Sequence, residues 1–412
     1  MKDKKYQNLK TLEFLGLFVL FFCIPFFKVG KTVGVFMLIF GAFGHILIQR
    51  KNTFSKPNLL EFFLLGLLIT GFISTVLNWP FHKGFNGFKD TFQFVLIFWV
   101  IYRKTFTLKQ LELLFWAIVI GSIIGLTVGY IRWQSGDKAY FILKNMSLAN
   151  TSIIIGIISS SLIGKIIQEK DGFLNKDKII SSLALIFLLF CLFMGGNRSG
   201  IIGFCAFLVT LPFFRSINKK AIAFAIVIVC ISSVILWDLK SYSNRITHLL
   251  EIRLNVFNYE SMTPNDQFRF DYWRVSYAQF IQKNKKMFGI GPRNYGSIDV
   301  NNLKFDPPLK NIAKLQSPNH SHNWLLTKLI EEGIFGLFFI LGFWVSVLWI
   351  LLKYRKYEKN YHWSIVSCLG AIIIPAIAGL FYSPFRREVA WVSMMYIGLA
   401  LSFIRNTECK DT

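Results

Sequence analysis

Two imidazoles stand in the stretch Asn319-His320-Ser321-His322-Asn323, directly before a long apolar run. A neutral imidazole is well suited to taking a proton near neutral pH, so one of these histidines can act as a general base at a polar–apolar boundary. A His-x-His pair also suits a metal ion, but no third ligand lies near in sequence. The plainer reading is a helix-capping region, in which Asn319, Ser321 or Asn323 accepts from the first free amides. Glu331 and Glu332 follow nine and ten residues after His322, roughly 14–15 Å further along a helix. That is too far for a His–carboxylate dyad on one helix. Carboxylates inside an apolar run are costly and call for a cation such as Arg198 or Lys328.

Arginines supply a second chemistry. Gly195-Gly196-Asn197-Arg198-Ser199-Gly200 joins two apolar runs with almost no linker. Glycines permit a tight turn and leave amides open, and an arginine there can fork two hydrogen bonds onto a phosphate. A snorkelling interfacial arginine is the plainer alternative. Arg269 opens an expected amphipathic helix, Arg269–Lys283, with Arg274 five residues on; a solvated helix face is the alternative there. Gly289-Ile290-Gly291-Pro292-Arg293-Asn294 is a glycine turn able to shape backbone near a ligand. Arg386 and Arg387 share a short loop before the last apolar run. No Walker loop, GxSxG or HExxH occurs, and no DxD-type pair stands in an outer loop. No metal and no cofactor is expected.

The elements that must position these groups are membrane helices. Of 412 residues 54% are hydrophobic and 17% charged, against about 25% charged in soluble proteins. Apolar runs that can span a bilayer fall at 11–28, 32–48, 58–78, 89–102, 111–131, 148–167, 179–194, 199–214, 221–238, 323–352, 363–382 and 388–404. The expected fold is therefore an all-α polytopic membrane protein with about 12 transmembrane helices. Its parts are 1–238 with helices one to nine, a long polar loop at 239–322, and 323–412 with helices ten to twelve. The first run, Leu12–Phe27, lacks a small-residue cleavage site and reads as a retained helix.

With the N-terminus inside, the inner segments hold 23 Lys and Arg and the short outer loops 10. That bias places both termini in the cytoplasm and the long loop outside. The net charge of +24 then belongs to membrane edges facing anionic lipid, and nucleic acid is not an expected partner. Phe270, Trp273, Tyr277 and Phe280 recur on one face of the amphipathic helix, which argues for order in the loop and for a helix lying on the membrane surface. Five of the six cysteines, Cys409 excepted, lie in apolar runs and read as small core residues.

The residues also resemble a known family. His322-Asn323, nine residues, then Gly333-x-x-Gly336 resembles the signature of the O-antigen ligase and polymerase family of bacterial envelope enzymes. Gly196-Asn197-Arg198-Ser199 resembles that family's arginine turn, Arg269 the arginine starting its periplasmic helix, and Phe288-Gly289-Ile290-Gly291 the glycine turn after it. One departure is Trp273, where the family often has leucine. The resemblance covers roughly residues 190–345, and elsewhere rests on topology.

The resemblance implies a glycosyltransferase of the bacterial inner membrane, working at the periplasmic face with its large loop there. The donor would be a glycan on undecaprenyl diphosphate. The acceptor would be a hydroxyl of lipid A-core or another glycolipid in a ligase, or of a second lipid-linked repeat in a polymerase. His322 would be the base, Arg198 and Arg269 would hold the diphosphate, and the anomeric centre would invert. Asn323, Gly333, Gly336, Gly289 and Gly291 would be structural. Arg274, Arg293, His320, Arg386 and Arg387 are looser substrate-binding candidates. A protein O-glycosylation enzyme is disfavoured because such chains usually carry a larger C-terminal region. The competing class is a transporter of a lipid-linked or anionic solute, against which stand the lack of a visible repeat and the one-sided placement of the cations.

Overall fold

Among the described residues, helices form where the chain offers long apolar stretches. The computed structural model describes residues 2–48, 58–78, 82–136, 142–143, 146–168, 175–213, 264–306, 308–309, 320–354, 363–383 and 388–408. These hold α1 (Lys2–Cys23), α2 (Lys28–Ile48), α3 (Leu59–Val76), α4 (His82–Arg103), α5 (Leu108–Gln134), α6 (Leu148–Gln168), α7 (Lys176–Gly195), α8 (Arg198–Thr210), α9 (Pro264–Gln282), α10 (Trp324–Tyr354), α11 (Trp363–Ala378) and α12 (Glu388–Glu408). Eleven of these correspond to expected spans; the span at 221–238 lies outside the described residues. By length and composition six of them can cross a membrane: α3, α5, α6, α7, α10 and α12. The chain is a multi-pass membrane protein.

Several elements depart from expectation, among them α1, which begins at Lys2 rather than 11. α4 begins at His82 rather than 89, because its first turns are polar and weaken the hydropathy signal. α8 gives way to a 3-10 turn at Leu211–Phe213, where Pro212 cannot supply an amide. The long α10 is broken at Gly333, which has φ 72° and ψ −168°.

α6 is the centre, buried without interruption from Thr151 to Ile166. α7, α8, α11 and α12 pack around it; α12 also lies on α4, α4 on α3, and α3 on α10, while α1 packs on α2 and α5. Small residues let these backbones approach, as at Gly16, where a Cβ would stand 2.7 Å from the Leu38 amide nitrogen.

Several charged side chains inside the bundle are paired. Arg103 grips Glu61 with two 2.6 Å hydrogen bonds, Lys104 meets Glu13 at 3.1 Å and Lys165 meets Glu112 at 3.0 Å. The Arg103–Glu61 pair joins the start of α3 to the end of α4. The opposite end of α3 meets Glu331 and Gly289 through Ser74 and Asn78.

Candidate active site

The break in α10 is a socket for the glycine turn. Gly333 releases the carbonyls before it and the amides after it. Ile290 N–H donates to Ile330 O and Gly291 N–H to Glu331 O, both at 2.9 Å; Ile334 N–H donates to Lys286 O at 2.9 Å and Phe335 N–H to Met287 O at 3.4 Å. Residues 286–291 thus replace the bonds an unbroken helix would have made. The approach is close enough that a Cβ on Gly333 would stand 2.2 Å from Met287 O, and one on Gly289 2.5 Å from Ile330 O. The end of α3 clamps the same place. Ser74 Oγ donates to Glu331 O at 2.8 Å, and Asn78 Nδ2 donates to Gly289 O at 3.1 Å. Within the break the buried Glu332 carboxylate pairs with Lys328 one turn earlier, one of the two cations expected for it from sequence.

Anchored at its C-terminal side by this turn, α9 carries a small core of its own. Val275, Ala278, Ile290, Tyr295, Ile298, Val300 and Ile330 are buried together, with Phe268, Tyr272 and Phe280 against them. The described part of the long loop is ordered, but the expected aromatic face divides. Phe280 joins this core, while Phe270 and Tyr277 stay exposed. The helix also starts five residues earlier than expected, so Arg269 lies in its second turn.

His322 sits at the entrance to α10, in a loop fixed by the buried Ser321. The Ser321 hydroxyl donates to Asn323 O at 2.6 Å and meets Thr327 Oγ1 at 2.8 Å, and Thr327 Oγ1 in turn meets Ser383 Oγ at 2.8 Å. Asn323 caps α10: its Oδ1 accepts from the Leu326 amide at 3.1 Å and its Nδ2 donates to Leu380 O at 3.3 Å. The capping reading is therefore right for Asn323, and the His322 side chain plays no part in the cap. His322 takes φ 56°, an uncommon left-handed conformation for a side chain of this size. Its amide donates to His320 Nδ1 at 3.1 Å, so neutral His320 carries its proton on Nε2.

The His322 ring lies against Tyr272 of α9, centroids 5.4 Å apart and planes 15° apart, with the His320 ring across it at 4.3 Å. Burial, and then the Arg269 charge, push His322 down to about 4. It is therefore neutral at physiological pH and can accept a proton. Tyr272 was not singled out from sequence. Its position three residues after Arg269, on the same helical face, was the signal available.

The arginine turn is built as its residues suggested. Gly196 closes α7 at φ 62°, and Asn197 caps α8, its Oδ1 accepting from Gly200 N–H at 3.1 Å. Arg198 is the exposed first residue of α8. A Cβ on Gly200 would stand 2.4 Å from Ser152 Oγ of α6, and one on Gly203 2.6 Å from Ile374 O of α11. Arg198 therefore belongs to the same end of the bundle as the close of α11, where Asn323 and Trp324 are bonded.

Two looser candidates have structural partners. Arg274 stands 3.8 Å from the buried Asp271, and Arg293 pairs with Asp90 of α4. Arg386 and Arg387 lie outside the described residues. Gly336 packs against the Glu332 side chain. Among the described residues no group of three His, Cys, Asp or Glu is placed to hold a metal ion.

Residues 183–341 match the family described as O-antigen ligase. The matched segment contains Arg198, α9, the glycine turn, His322 and the α10 break. No curated protein matches the chain.

Proposed function

We propose that this chain, whose residues 183–341 match the O-antigen ligase family, is an inverting glycosyltransferase that moves a glycan from undecaprenyl diphosphate to a hydroxyl of lipid A-core. It works in the bacterial inner membrane, with both termini cytoplasmic and the site at the periplasmic face. The observation that carries the reading is the His322 ring at the entrance to α10, stacked on Tyr272 of the helix that bears Arg269, all inside the matched segment.

In this reading the acceptor oxygen attacks the anomeric carbon from the face opposite the diphosphate. The new C–O bond forms as the bond to the phosphate oxygen breaks, the hydroxyl proton passes to His322, and undecaprenyl diphosphate leaves with the bonding electrons. Arg198 and Arg269 meet the charge that grows on the leaving group. The arrangement also times the base. After burial, the Arg269 charge depresses the basicity of His322, and a diphosphate bound to Arg269 offsets that charge. His322 then becomes the stronger base when a donor is present.

The test is the surface glycolipid profile of a deletion strain, with carrier-linked glycan measured beside it. The expected result is full-length polymer on the carrier and none on lipid A-core. Single repeats reaching the core while long chains vanish would instead identify a polymerase. No change in either would favour transport or an unrelated acceptor.

A further inference from the structure

We propose that Tyr272 is a positioning residue for the reaction, its ring acting as the platform that fixes the orientation of the His322 imidazole; this rests on the function proposed above. Tyr272 lies nearly parallel to His322, with planes 15° apart. The main chain that carries the platform is itself held. The Tyr272 carbonyl accepts from Ser276 Oγ at 2.8 Å and from Tyr295 Oη at 3.0 Å, and Tyr295 is fully buried in the α9 core. His320 stands edge-on to the same imidazole, backed by Tyr382 at 5.3 Å, whose hydroxyl meets Ser147 at 3.1 Å.

His322 thus contacts a stacked ring on α9 and an edge-on ring on its own loop, and its own φ of 56° gives the backbone little room to follow if either is lost. The titratable and charged groups around it are Arg269 and Tyr272 from α9, His320 from its own loop, and Tyr382 behind His320. Burial raises the Tyr272 phenol, so the platform stays uncharged through the working range. Arg269 precedes Tyr272 by three residues on one helix. The element proposed to bind the diphosphate therefore also orients the base. A residue missing from any motif becomes a link between donor and proton transfer.

The experiment compares full-length Tyr272→Phe, Tyr272→Trp, Tyr272→Leu and Tyr272→Met, purified in detergent, using lipid-linked glycan as donor and lipid A-core as acceptor. Phe and Trp keep a ring, and kcat stays within about threefold of the parent. Leu and Met lack one, and kcat falls by about 10- to 100-fold from lost alignment while the donor KM changes less than about twofold. In the ringless pair the acid limb of the pH–rate profile also moves up toward the ordinary imidazole value, because water replaces the platform. A structural defect alone would lower the active fraction without moving that limb. Ringless variants with parental kcat and an unmoved limb overturn the proposal, as does a Phe variant as slow as Leu. An active His322→Ala variant would instead overturn the function reading on which it rests.

Discussion

Substituting Gly333 by alanine separates the role of the α10 break from ordinary glycine flexibility. At φ 72° and ψ −168° the residue is in a region that side chains rarely enter, a strain of roughly 1–3 kcal/mol. The added Cβ would also lie 2.2 Å from Met287 O and 2.6 Å from the Phe288 nitrogen, both backbone atoms that no rotamer change can move. Relief requires the turn to leave its socket. That breaks the four hydrogen bonds joining residues 286–291 to residues 330–335, each contributing about 0.5–1.5 kcal/mol. The combined cost is on the order of 5 kcal/mol, comparable to the whole stability of many domains. Gly136 is the control. Its φ is 78°, but nothing lies within 4 Å of an added Cβ, so Gly136→Ala costs only about 1–2 kcal/mol. Thermal unfolding in detergent, followed by tryptophan fluorescence, measures both. Gly333→Ala should melt well below Gly136→Ala and lose transfer, since the turn anchors α9 with Arg269 and Tyr272. Equal melting temperatures would refute the socket.

Other outcomes follow from the charges. Arg269→Ala should lower transfer by roughly 10²–10³, and Arg269→Lys should not restore it fully, because lysine cannot fork two hydrogen bonds; steady-state kinetics on lipid-linked donor decide, and Arg198 should behave alike. The depressed basicity of His322, about 4 against the ordinary 6.5, keeps the free site in its working form at pH 5.5. Its kcat/KM there should be close to that at pH 7.5, and a tenfold fall would refute the assignment. The same depression stabilises the fold fully above pH 6.5 and loses that contribution as pH falls through about 4, readable as a falling melting temperature over that window. Transfer should continue in excess EDTA; strict dependence on added Mg²⁺ would count against arginines as the stabilisers of the diphosphate.

Hydropathy reads the bundle because a bilayer leaves a helix few alternatives. It found the positions of eleven described helices, yet missed the early start of α4, whose first residues are polar. It also could not see the interruption in α10, since Gly333 adds nothing to an apolar average. The site was legible where a residue acts on its near neighbours in the chain, as in the Asn323 cap, the Gly196 turn and the Lys328–Glu332 pair. Partners distant in sequence were not legible. Arg293 is drawn to Asp90 some 200 residues away, and His322 to Tyr272, by packing that no local pattern encodes. The amphipathic helix shows both sides. Its existence was evident from period, but which face turned inward depended on Tyr295 and Ile330, supplied from elsewhere.

Proton removal by His322 is measured most directly by single-turnover transfer by purified His322→Ala beside the parent. The substrates are lipid-linked glycan and lipid A-core, with folding checked by melting temperature and donor binding measured separately. The proposed mechanism predicts a folded variant that binds donor and forms no glycolipid product. Transfer at the parental rate would contradict it.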